Sequence, residues 1–174
     1  MYRRSNRAIS FLCLVVLLLS QAGCGYELVR DRGIDSGGGT DVRSISVPIF
    51  KNRTLEPQTP VFFTEAFSRE LAAGGLVQMN TSEAEATLQG TIDALFATPS
   101  SLSGTGIAVE KVVTTTVSLR LFKAGNIVKS WSFTDSEAYT ISNINLEDFN
   151  RRAALQRIAT RMARRFHSQL ASGK

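Results

Sequence analysis

The stretch Val109 to Leu121, VEKVVTTTVSLRL, decides the fold of this chain. Val113, Val117, Leu119 and Leu121 occupy odd positions, while Thr114, Thr116, Ser118 and Arg120 occupy even ones. Successive side chains of a strand point to opposite faces, so this period of two sends one face into a core and the other into water. Such half-polar strands suit an antiparallel sheet with one covered face.

The pattern continues on both sides. Downstream, Ala124-Gly125-Asn126 forms a tight turn, and Ile127 to Tyr139 returns as a strand with Trp131 and Phe133 on one face. Upstream, the even positions Ala84, Ala86, Leu88, Ile92 and Ala94 are apolar, with Glu85, Gln89 and Asp93 between them. Thr98 to Gly106, TPSSLSGTG, joins two of these strands and holds no charge. Its length predicts a loop rather than a minimal hairpin turn, with Leu102 exposed among Pro99, Gly104 and Gly106. Long connections of this kind are often functional, which makes these four residues a candidate partner contact. Plain disorder is the alternative.

Further upstream, Ile45, Val47 and Ile49 alternate with Ser46 and Pro48, and the proline argues for an edge or a strand end. An open edge between Ile45 and Phe50 would offer ladder groups to another chain. Thr59-Pro60 reads as a helix start with Thr59 as the N-cap. Phe63, Phe67 and Leu71 then recur every four residues, and Gly74-Gly75 ends the helix. A last helix, Leu146 to Leu170, carries Leu155, Ile158, Met162 and Phe166 as an apolar stripe. Arg151, Arg157, Arg161, Arg164 and Arg165 fill much of its remaining surface, Asn145 is the expected N-cap, and Glu147 and Asp148 suit its positive end. The fold class is therefore α+β: a two-layer sandwich, mainly antiparallel sheet covered on one face by two helices, in a single domain over residues 42–174.

The N-terminus has a separate logic. Arg3, Arg4 and Arg7 precede the largely apolar run Ile9 to Leu19, and Gln21-Ala22-Gly23 brings small residues up to Cys24. Positive, apolar and small-residue regions in that order read as a secretory signal over residues 1–23. The run of about 11 apolar residues is well short of the ~20 a spanning helix needs. Cysteine after small residues resembles the bacterial lipobox, with cleavage between Gly23 and Cys24 and acylation of the Cys24 thiol; Gln21 stands where that motif usually has leucine. Gly25, in place of an aspartate, leans towards the outer membrane. Residues 24–41, with Ser36-Gly37-Gly38-Gly39-Thr40, read as a flexible tether behind the lipid anchor.

Removing residues 1–23 from the 174 leaves 151, enough for one domain with a substantial core. The net charge of +5 falls to +2, because three arginines leave with the signal, and so balanced a chain gives no case for nucleic acid. Glu147 to Lys174 holds seven basic and two acidic residues, read here as a solvated helix face. With Cys13 removed and Cys24 acylated, no thiol is left for a disulfide.

Catalysis finds little support. His167 is the single histidine and stands on a basic helix, without an acid and nucleophile at a recognisable spacing. No metal-ligand set or cofactor motif is present, so no catalytic residue, metal or cofactor is assigned. Gly104-Thr105-Gly106 lies between strands, with no helix N-terminus to hold a phosphate. Asn52-Arg53-Thr54 and Asn80-Thr81-Ser82 match the glycosylation pattern, which carries little weight behind a bacterial-type signal.

Several of these residues together resemble the LptE family of lipopolysaccharide assembly. They are Cys24-Gly25-Tyr26-Glu27-Leu28, the segment Val47-Pro48-Ile49-Phe50-Lys51-Asn52-Arg53-Thr54 with Ile45 and Ser46 before it, the Trp131/Phe133 strand with Tyr139, and the arginine-rich last helix. The resemblance covers essentially the whole mature chain. It implies a non-enzymatic lipoprotein on the periplasmic side of the outer membrane, plugging an LptD-type β-barrel and assisting its assembly and lipopolysaccharide transport. Lipopolysaccharide itself is a further candidate ligand. Some members of the family it resembles offer basic loop residues to its phosphates, whereas residues 98–106 are uncharged here and Tyr139 to Leu146 holds no basic residue. Lys123 and Lys129, flanking the last hairpin turn, are the candidate substitutes, with the terminal arginines behind them. A lipoprotein adaptor of another envelope complex is the alternative reading.

Overall fold

The computed structural model describes residues 42–76, 84–141 and 144–172. Its elements run β1 (Ile45–Ser46), β2 (Lys51–Asn52), α1 (Thr59–Ala73), β3 (Ala86–Leu102), β4 (Ala108–Lys123), β5 (Asn126–Thr140) and α2 (Ile144–Ala171). The signal, Cys24, the tether, the Asn80 glycosylation triplet and the side chain of Asn145 lie outside the described residues.

The sheet order is β1-β3-β4-β5, with β2 also paired to β3. β3, β4 and β5 form the expected antiparallel meander, while β1 and β2 run parallel to β3 along its first half. That parallel pairing follows from connection length, since α1 crosses over between β2 and β3. The α+β reading holds, with a mixed five-stranded sheet.

Inside the sheet the period of two governs burial. Val113, Val117, Leu119 and Leu121 of β4, and Ala86, Leu88 and Ile92 of β3, are buried beneath the helices. Phe63, Phe67 and Leu71 of α1 meet Leu155, Ile158, Met162 and Phe166 of α2 in the same core. The Trp131 and Phe166 rings stand edge to face with centroids 5.0 Å apart. Gly74 and Gly75 end α1 as expected. The Leu76 N–H donates to the Leu71 carbonyl and the Gly75 N–H to that of Ala72, a Schellman closure made possible by the positive φ of Gly75. Ala124 and Gly125 both have positive φ, the hairpin turn the sequence implies.

Four local expectations are corrected. The N-cap of α1 is Gln58, not Thr59, because the backbone is already helical at Gln58; the Thr59 hydroxyl is buried without a hydrogen-bond partner. The alternation through Ile49 ends at Pro48, after which Ile49 faces solvent and Phe50 turns inward. β1 is an outer strand of the sheet, as the proline implied, but its edge offers little: strand between Ile45 and Phe50 is confined to Ile45–Ser46, and Ile45, Ser46, Val47 and Phe50 are buried. Finally, a bulge between Ile92 and Ala94 flips the phase of β3, so Ala94 lies opposite outward-facing Thr116, and Leu95 takes the inner position opposite Thr115.

The segment carrying the family resemblance works within this frame. Phe50 packs against Phe63 and Phe67 and lies on Gly90, where a Cβ would come within 2.3 Å of its ring. Its N–H donates to the Thr64 hydroxyl at 3.0 Å. Asn52 accepts from the Thr54 N–H at 2.9 Å, an Asx turn, and Arg53 reaches Asp93 at 3.2 Å. These residues lock the parallel edge onto β3.

Candidate interaction site

The expected long loop over Thr98 to Gly106 is shorter and more ordered. Residues 98–102 continue β3, with Pro99 opposite Lys111, Ser101 opposite Glu110 and Leu102 opposite Ala108. Pro99 is tolerated because the pairing of β2 with β3 ends where Asn52 meets Ile92, leaving that side of β3 without a strand partner at Pro99, and because a register shift follows it. The true turn is Ser103 to Ile107, closed by Ser103 N–H to the Ile107 carbonyl at 2.7 Å and Gly106 N–H to the Ser103 carbonyl at 2.9 Å. Gly106 has φ +79°, whereas a Cβ on Gly104 would meet open space.

The tip is nevertheless exposed and apolar. Leu102 is 60% exposed, and Ile107 and Val109 beside it are also open to solvent. The β4–β5 ladder and the bond from the Ile141 N–H to the Val109 carbonyl bring the start of α2 to this same end, where Leu146 and Phe149 are exposed. Sequence reasoning missed Ile107 and Phe149; an apolar residue directly after Gly106 and one in the charged first turn of a helix were the available signals.

Lys123 and Lys129 lie at the opposite end of the sheet, so they form no common site with Pro99, Leu102, Gly104 and Gly106. Lys123 pairs across the turn with Asn126, and the Lys129 ammonium sits 5.5 Å above the Trp131 ring.

The arginines of α2 do something the reading of a solvated face did not foresee. Arg157 meets Glu137 at 2.7 Å, and Arg161 meets Asp135 at 3.0 Å and Glu137 at 2.6 Å. Arg161 also donates to the Ser136 carbonyl, Arg165 to that of Thr134, and the Asn150 amide to that of Thr140. Three carbonyls of the outermost strand are thereby occupied, which blunts the β5 edge against pairing. Burial pushes the Asp135 and Glu137 carboxyls up, but the arginine hydrogen bonds and charges outweigh it and hold both below their ordinary values. At the far end, Lys111 bonds Glu147 at 2.6 Å and is raised by that hydrogen bond; burial raises Tyr139 beside them. Glu147 therefore ties α2 to the sheet as well as favouring the helix start.

His167 packs on Gly74, with Nδ1 3.6 Å from Glu70, and helps join the two helix ends. Among the described residues no group of three or more His, Cys, Asp or Glu could hold a metal. A groove of about 620 Å³ runs between the helices, floored by Phe62 and Ala66, and its Arg157 and Arg161 are engaged by Glu137 and Asp135.

The outer face of the sheet is different in kind. Thr114 bonds Ser136 at 2.9 Å, Thr116 bonds Thr134 at 3.0 Å, and the Ser118 hydroxyl donates to Asp93. A ladder of hydroxyls thus crosses the uncovered side, with Phe96 as its exposed apolar member.

The family model for LptE, lipopolysaccharide-assembly, matches residues 42–170. No curated protein sequence matches the chain. Solved structures share the fold. A candidate lipoprotein from Caulobacter crescentus CB15 is 17% identical with a TM-score of 0.57, covering 82% of this chain and 92% of its own. A minor lipoprotein from Acinetobacter baumannii is 15% identical with a TM-score of 0.52, over 75% of this chain and 92% of its own. The rare lipoprotein B from Shewanella oneidensis is 14% identical with a TM-score of 0.51, over 73% of this chain and 94% of its own.

Proposed function

This chain belongs to the LptE lipopolysaccharide-assembly family, and we propose that it is an outer-membrane lipoprotein, acylated at Cys24, that plugs an LptD-type β-barrel from the periplasmic side. In that position it assists assembly of the barrel and passage of lipopolysaccharide to the cell surface, a non-enzymatic role. The observation that carries this reading is the uncovered face of the sheet. A sheet face left open by its own helices, and lined by Thr114, Thr116, Ser118, Thr134 and Ser136, matches the polar lumen of a large barrel better than it matches lipid or an apolar partner. The apolar tip around Leu102 and Ile107, with Pro99, Gly104 and Gly106 in the same hairpin, is the second contact, suited to a barrel loop. Lys123 and Lys129 are too far from that tip to share a ligand with it.

The test is detergent extraction and purification through a C-terminal tag. One large outer-membrane barrel should co-purify stoichiometrically, and depletion of this protein should leave that barrel misassembled. Recovery of periplasmic or cell-wall components with no barrel would instead establish the adaptor alternative. Cys24→Ala should leave an unprocessed or soluble form; an acylated, processed product from that variant would overturn the anchoring assignment.

A further inference from the structure

The two outer edges of the sheet are treated differently. On β5, Arg161, Arg165 and Asn150 occupy the carbonyls of Ser136, Thr134 and Thr140, and Asp135 and Glu137 place charge beside them. The other edge is built in two parts. β1 and β2 fill the position beside β3 as far as Ile92, whose carbonyl accepts the Arg53 N–H at 3.0 Å. Beyond Ile92 no strand among the described residues takes that position, although β3 continues to Leu102. The register shows which ladder groups face the free side. The Ile92 carbonyl points away from β4, and Ile92 lies opposite Val117. Pairs alternate along an antiparallel ladder, so the residues opposite Thr115, Val113 and Lys111 also point away from β4. Those residues are Leu95, Ala97 and Pro99. The Val109 carbonyl, which accepts from the Ile141 N–H on the β5 side, keeps the same phase. Leu95 and Ala97 therefore each turn an N–H and a carbonyl outward, and Pro99 a carbonyl alone. Among the described residues no backbone or side-chain group bonds them.

Edge strands are ordinarily guarded by charge, a bulge, proline or a covering segment. Here the bulge after Ile92 and the proline at 99 bracket the stretch, and the residues between them carry no such guard. No charged residue occurs from Ala94 to Val109, and residues 96–102 are all exposed. A neutral edge with outward donors and acceptors is the surface to which an extended segment adds as a further strand. Its surroundings indicate where that segment comes from. Phe96 stands in one cross-strand row with Thr114 and Ser136, on the hydroxyl face assigned above to the barrel lumen. The apolar tip of Leu102 and Ile107 lies at the far end of the same edge. A strand laid along Leu95 and Ala97 lies between these two surfaces, in line with β2. We propose that the free edge of β3 from Ala94 to Thr98 receives an extended, uncharged segment of the barrel protein's own chain, so that the partner completes the sheet. The segment sets an apolar side chain beside Phe96, and its backbone serves the second half of β3 as β2 serves the first.

The added strand deepens the barrel reading and rests on it, and the test separates the two. Ala97→Pro removes an N–H that bonds nothing within the chain, at an exposed position shortly before Pro99, a proline this strand already accepts. Ala97→Ser keeps that N–H. In the full-length processed protein, purified from detergent through a C-terminal tag, Ala97→Pro should recover several-fold less barrel than the parent or Ala97→Ser, at an unchanged urea midpoint. Hydrogen exchange on the parent gives a second reading, which decides the matter if Ala97→Pro lowers the midpoint. Without the barrel, the Leu95 and Ala97 amides should exchange at nearly the rate of a free peptide; in the complex they should slow by roughly tenfold or more. Full retention of the barrel by Ala97→Pro, with both amides exchanging alike in the two samples, would overturn the added strand and leave the plug reading standing. If the parent recovers no barrel, the plug reading falls and takes this occupant with it. A homodimer of the purified protein that Ala97→Pro dissociates, with barrel recovery unaffected, would assign the edge to a second copy and overturn the proposal.

Discussion

β3 is one continuous strand in two physical situations. From Ala86 to Ile92 its inner side chains are buried beneath Phe50 and α1; from Phe96 to Leu102 every residue is exposed. Both stretches pair with β4, so backbone hydrogen bonding is not what separates them. The difference is what lies above the sheet. The first half has β1 and β2 at its side and helices over it, whereas the second has only β4 beside it and runs out past the core. A sheet can thus devote one half to stability and project the other as a rigid arm.

The largest effect should come from breaking the first half at its keystone. Phe50 is 2% exposed and fills the space left by the missing side chain of Gly90. Phe50→Ala should cost about 3–5 kcal/mol, a large part of the stability of a domain this size, read as a fall in the urea midpoint. Gly90→Val should approach it from the other side, by overpacking.

How much of this was legible in the residues follows the same division. The period of two across 109–121 fixed β4 and its buried face because both faces act uniformly along it. The stripes of α1 and α2 were legible for the same reason. Phe50 was hidden because Pro48 shifts the alternation by one, and its partner Gly90 has no side chain to show in a pattern. The extension of β3 through Pro99 was hidden because proline and serines there carry turn propensity, which pairing with Lys111 and Glu110 overrides. The arginines of α2 looked like solvated charge because their partners, Asp135 and Glu137, are twenty or more residues away in sequence. Of the candidate site, Leu102 could be read directly; that Lys123 and Lys129 lie at the opposite end could not, since strand order is a tertiary fact.

A smaller effect separates the edges of the two halves. Arg161 holds Asp135, Glu137 and the Ser136 carbonyl together, so Arg161→Gln should cost roughly 1–2 kcal/mol, discounted for its partial exposure. The pH dependence has a definite sign. Both carboxyls are lower in the folded chain than their ordinary values of 3.8 and 4.5, so their contribution is fully present above those values. It is lost as pH falls through the folded values. An acid titration of the denaturation midpoint should therefore fall less steeply below about pH 4.5 in Arg161→Gln than in the parent. Parallel curves would show that the seam does not govern acid stability.

At the tip, Gly106→Ala should be the more harmful of two glycine changes. Its φ of +79° strains any side chain, at a cost of roughly 1 kcal/mol, while Gly104 has room for a Cβ. Hydrogen exchange of the amides between Ser103 and Ile107 should rise in Gly106→Ala alone. Global unfolding is a poor probe here, because a hairpin end outside the core opens locally.

The smallest effect on stability is the one that bears most on function. Leu102→Ser with Ile107→Ser removes apolar surface that touches no core, so the denaturation midpoint should move by no more than about 0.5 kcal/mol. If the arm exists to meet a barrel loop, the same variant should lose its co-purifying barrel while remaining folded, acylated and correctly localised. Phe50→Ala would lose the partner too, but only in proportion to its unfolded fraction, and conditions that restore folding should restore it. Loss of the partner without loss of stability at the tip, set against loss of both together at Phe50, would establish that the two halves of β3 serve separate ends. Retention of the barrel by the tip variant would move the contact to the hydroxyl face, where Thr116→Glu placed between Asp93 and Thr134 becomes the discriminating substitution.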